Sequence, residues 1–111
     1  MKKILNIKID GNKRKIRIDT DKDDSIYWNL INTRIFKLQI HYTVDKKQIF
    51  YLYIYSNVYN EDPCIEILDR NKALKFLLEN WGTEFNQNDL DYFGKYFPEL
   101  TDKTLNEQLK N

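Results

Sequence analysis

His41 is the only histidine of the 111-residue chain and Cys64 the only cysteine. Those two residues, the carboxylates and the hydroxyls are what any chemistry here would have to use. Acid–base or nucleophilic catalysis needs a base held beside its target. The nearest hydroxyl in sequence is Thr43, two residues from His41, and no Gly-rich loop follows to supply an oxyanion hole. A histidine bonded to a neighbouring tyrosine is the expectation. Zinc requires several Cys or His ligands, and one of each separated by 23 residues does not make a site. Asp21, Asp23 and Asp24 resemble the start of a calcium loop, but the Gly and the closing Glu at the required spacing are missing. Only three glycines occur, too far apart to cradle a phosphate. The expectation is a chain with no enzymatic activity, no cofactor and no metal.

Two other patterns point to binding. Residues 49–55 read IFYLYIY, so Tyr51, Tyr53 and Tyr55 fall on one side of a strand, with Phe50, Leu52 and Ile54 on the other. The even row is core. The tyrosine row awaits a cover, and three candidates suit it: a helix of the same chain, a protein partner or unpaired bases. The second pattern is basic. Residues 1–20 hold seven Lys and Arg against two Asp, a net of +5, whereas residues 61–111 carry a net of −5 and the whole chain only +1. Lys13, Arg14, Lys15 and Arg17 are the cations a phosphate backbone would meet.

Elements must position these residues. ILNIKIDGNKRKIRID reads as a hairpin. A turn at Gly11-Asn12 would pair Ile7 with Ile16 and Leu5 with Ile18, keeping the apolar residues on one face. SIYWNLINT carries Ile26, Tyr27, Leu30 and Ile31 at helical spacing behind a capping Asp24 or Ser25, which predicts a short helix. Residues 35–56 form a second hairpin, and a three-residue loop at Asp45–Lys47 would set His41 across from Tyr51, Gln39 from Tyr53 and Lys37 from Tyr55. With Tyr51, Tyr53 and Tyr55, these three polar residues make the expected partner-binding face. Tyr suits a half-wet surface of this kind.

CIEIL reads as a last short strand. Asp69 caps a helix with Ala73, Leu74, Leu77, Leu78 and Trp81 on one stripe and Gly82 at its end. A second helix carries Leu90, Phe93 and Phe97 and stops at Pro98. A final turn capped by Thr101 would dock Leu105 and Leu109. The expected fold is therefore α+β: one domain over residues 1–111, with an antiparallel β-sheet of about five strands and the C-terminal helices packed on one face.

No long uncharged apolar run and no secretory h-region occur, and a lone cysteine suits a reducing cytoplasm. Lys, Asn and Ile are abundant, and their codons are AT-rich. A small, motif-poor chain of that composition fits a cytoplasmic inhibitor encoded by a phage or mobile element, anti-defence (anti-CRISPR-like) or immunity in type. It would act by binding a protein stoichiometrically, with a second copy of the chain as another partner. The alternative is a protein that binds RNA or single-stranded DNA through the tyrosine face and the basic hairpin.

Overall fold

The computed structural model describes residues 1–56 and 60–101. Among the described residues six strands precede two helices, so the class is α+β, with six strands rather than five. The strands are β1 (Lys2–Ile9), β2 (Asn12–Asp19), β3 (Asp24–Ile31), β4 (Arg34–Tyr42), β5 (Gln48–Ser56) and β6 (Cys64–Leu68). The helices are α1 (Arg70–Trp81) and α2 (Gln87–Phe93), followed by a 3-10 turn, Pro98–Thr101. The expected docking turn with Leu105 and Leu109 lies outside the described residues. The chain divides into two compact units, Met1–Ala73 and Leu74–Asn111.

In the first unit the strands form two antiparallel sheets, β1-β2 and β3-β4-β5-β6, where a single sheet was expected. The N-terminal hairpin turns at Asp10-Gly11, not Gly11-Asn12. Both residues have positive φ, 50° and 84°, as a type I′ turn demands. The register is therefore Leu5 opposite Ile16 and Ile7 opposite Arg14. The shift is two residues, so the apolar face survives it. Ile16 and Ile18 are buried, and Leu5, Ile7 and Ile9 are half-buried. A two-stranded ribbon is only marginally stable alone, and this one packs its apolar face onto the larger sheet. Ile16 and Ile18 cluster with Ile49 and Tyr51, with Tyr53 and Ile65 alongside.

The segment expected to be a helix is β3. Ile31 and Arg34 flank a tight turn at Asn32-Thr33, both with positive φ. A bulge between Ser25 and Tyr27 inserts one residue, which breaks the alternation and mimics helical spacing. β-branched and aromatic side chains fit the strand better than a helix.

The central hairpin closes through five residues, Thr43–Lys47. Thr43 shapes this loop: its N–H donates to the Lys47 carbonyl, and its hydroxyl oxygen accepts from the Lys47 N–H, both at 2.9 Å. Lys46 takes the left-handed conformation. The register is again shifted by two: Gln39 faces Tyr51, Lys37 faces Tyr53 and His41 faces Ile49. The even face carries Leu38, Ile40, Phe50, Leu52 and Leu68, all buried, with the Arg70 guanidinium 5.7 Å from the centre of the Phe50 ring.

The Asp69 carboxylate accepts the Lys72 N–H at 2.8 Å, capping α1, and Gly82 with φ 81° ends it. In the second unit Asn86 and Asp89 form a reciprocal capping box at the start of α2. That helix stops at Phe93, before the expected Pro98. Trp81, Phe85 and Phe93 pack together with ring centres 5.1–5.7 Å apart. Among the described residues, no helix is long and apolar enough to cross a membrane.

Candidate binding surfaces

The β1-β2 hairpin divides the tyrosine row. Tyr51 is completely buried beneath it. The Tyr51 hydroxyl donates to Asp23 Oδ2 at 2.8 Å. The other oxygen of the same carboxylate lies 2.9 Å from His41 Nδ1. A carboxylate only accepts, so Nδ1 carries the proton in this contact. Burial first, and then the bond to Asp23, push the Tyr51 hydroxyl far above the usual tyrosine range. It stays a neutral donor and is no base. Gln39, also buried, donates from Nε2 to the carbonyls of Thr20 at 3.0 Å and Asp23 at 3.3 Å.

Tyr51, Gln39 and His41 therefore tie the 20–23 loop to the sheet. Two of the residues assigned to a partner face, Tyr51 and Gln39, are inaccessible, and the physical reason is the hairpin lying over them. Asp23 is occupied by this network. Among the described residues, no group of three or more His, Cys, Asp or Glu is placed to hold a metal ion. The Thr43 hydroxyl donates to Asp45.

Toward the edge strand β3 the same face becomes more exposed. Cross-strand partners share a face, so two rows run across the sheet: Trp28–Lys37–Tyr53–Ile65 and Leu30–Ile35–Tyr55. Trp28 and Leu30, on the edge strand β3, are 59% and 61% exposed. Tyr53 and Tyr55 are half-buried, with ring centres 4.8 Å apart. Lys37 lies half-buried between Trp28 and Tyr53. Thus the structure groups Tyr53, Tyr55 and Lys37 of the expected set and adds Trp28, Leu30 and Ile35. The i, i+2 spacing of Trp28 and Leu30 was the signal for the first two, masked by the bulge before them.

The basic residues divide in the same way. Arg14 points to the inner side of the hairpin and makes a two-pronged contact with Asp45, at 3.0 and 3.1 Å. Hydrogen bonds from Arg14 and then Thr43 hold the Asp45 carboxyl down to about 2. Lys47 pairs with Asp10 at 2.9 Å, so two ion pairs join the hairpin to the central loop. Lys13, Lys15 and Arg17 face outward. An open cleft of about 570 Å³ lies near the hairpin turn, between Ile9, Ile67 and Phe50. No protein-family model, curated protein or solved structure matches the chain.

Proposed function

We propose that this chain is a binding protein that acts stoichiometrically on a protein partner, through the open end of the tyrosine face. One observation carries the reading: Trp28 and Leu30 stand more than half exposed on an edge strand, continuous with Ile35, Tyr53 and Tyr55. Single exposed apolar residues are ordinary, but a connected patch of Trp, Tyr, Leu and Ile has the composition of an interface core. Trp and Tyr are the side chains that most often anchor such contacts. The small size and AT-rich composition support the finer reading of an inhibitor from a phage or mobile element, of anti-defence or immunity type. The free, exposed Cys64 suits a reducing cytoplasm.

The test is affinity capture from nuclease-treated host lysate with the wild-type chain and with a Trp28→Ser, Leu30→Ser variant. The expected result is a protein retained by the wild type and lost by the variant, with matched melting curves. Capture of the same proteins by a folded variant would exclude this face.

A further inference from the structure

We infer that the outer face of the β1-β2 hairpin is a docking surface for the phosphate backbone of a nucleic-acid double helix. This surface is separate from the aromatic patch and does not depend on the reading above. Alternation along the two strands puts Lys2, Ile4, Asn6 and Lys8 of β1 and Lys13, Lys15, Arg17 and Asp19 of β2 on the side away from the larger sheet. Five cations and one carboxylate thus share one face of a narrow ribbon.

Three features favour an anionic partner. First, none of the five cations takes part in an ion pair among the described residues. The cations that join the hairpin to the central loop, Arg14 and Lys47, are both paired. Second, Lys8 and Lys13 stand directly opposite each other. Like charges in that position destabilise a strand pair, and a bound anion would relieve the repulsion. Third, Lys13, Lys15 and Arg17 are two residues apart along one strand, about 6.8 Å per step at the rise of an antiparallel strand. The cations thus form a regular track rather than a point charge.

The choice of occupant follows from what the face lacks. Single-strand binding surfaces combine cations with aromatic platforms for base stacking. This outer face has no aromatic residue, and the exposed aromatics of the first unit, Trp28 and Tyr42, lie on the larger sheet. A duplex offers its charge on the outside at high density and needs no stacking. Its major groove also admits a two-stranded β-ribbon. An anionic membrane surface would need more apolar residues than Ile4 alone supplies for insertion.

Fluorescence anisotropy of a short labelled DNA duplex with the full chain tests this. Binding should weaken roughly a hundredfold between about 50 and about 200 mM salt, as about four neutralised phosphates require. Lys13→Glu with Lys15→Glu should lose at least tenfold in affinity and flatten the salt slope by about two. The same variant should melt no lower than wild type, because a carboxylate at position 13 would oppose Lys8 where two lysines now meet. Lys72→Glu with Lys95→Glu makes the same change in net charge and should leave binding within about twofold. Equal losses in the two variants would overturn the assignment, since net charge alone would then explain binding. So would equal or tighter binding to the matching single strand, or binding to phosphatidylserine vesicles with none to the duplex.

Discussion

Asp23 and Asp45 show how single carboxylates hold this fold. Asp23 receives the Tyr51 hydroxyl and His41 Nδ1 on its two oxygens. Tyr51→Phe should cost about 1–3 kcal/mol, because it removes one donor and leaves a buried carboxylate oxygen without its partner. Tyr51→Ala should cost more, about 3–5 kcal/mol, since the hairpin then packs over a cavity. Urea denaturation checks both, and equal wild-type midpoints would mean that Tyr51 is not under the hairpin. Asp45 is a titration case. Its folded carboxyl lies at about 2 against an ordinary 3.8, depressed by Arg14 and then Thr43. A depressed carboxylate stabilises fully above its unfolded value and loses that contribution as pH falls through the folded one. The window for Asp45 therefore runs from pH 3.8 down to about 2. In a carboxyl-carbon NMR titration, Arg14→Gln should move the Asp45 midpoint upward, and no movement would exclude the guanidinium as the cause.

At the scale of the element, the turns are as informative as the strands. Thr33 sits at φ 69°, a conformation that β-branched residues rarely adopt. Thr33→Gly should stabilise the β3-β4 hairpin by about 1 kcal/mol, read as a raised denaturation midpoint. A lowered midpoint would show that the Thr33 side chain contributes more than its backbone strain costs. The two faces of the larger sheet should respond differently to truncation. Phe50→Ala and Leu52→Ala should each cost about 2–5 kcal/mol, as both are buried on the even face. Trp28→Ala, on the open end, should stay within about 0.5 kcal/mol. If Trp28→Ala destabilised as much as Leu52→Ala, the aromatic patch would be core rather than surface.

At the scale of the whole molecule, two units each carry their own apolar set. Leu38, Ile40, Tyr51 and Ile18 belong to the first, and Leu77, Phe93, Phe97 and Leu100 to the second. Local opening follows such divisions. Amide exchange should be slowest in β4 and β5, the two central strands of the larger sheet. Phe93→Ala removes the ring that meets both Trp81 and Phe85. It should accelerate exchange across 74–101 far more than in β4 and β5. Uniform acceleration would show that the two units open as one.

The sequence by itself determined the α+β class, the core face of the central hairpin, the β1-β2 hairpin, α1 with its Asp69 cap and Gly82 end, and the outward placement of Lys13, Lys15 and Arg17. Each rests on a local rule: a period of two, a capping side chain or a glycine at positive φ. Both hairpin registers read two residues away from the true ones kept the right faces, because only an odd shift exchanges them. Other features had no local signature. A one-residue bulge disguised β3, and Asn32-Thr33 lacks the glycine that usually marks a tight hairpin turn. Tertiary structure alone decided which face of the large sheet the small one covers. That choice buried Tyr51 and Gln39, enlisted His41 and Asp23 as anchors, and left Trp28 and Leu30 exposed with Tyr53 and Tyr55 half-buried beside them. Alternation tells which residues share a face, but what lies against that face depends on residues distant in the chain, such as Ile16 and Ile18 meeting Ile49 and Tyr51.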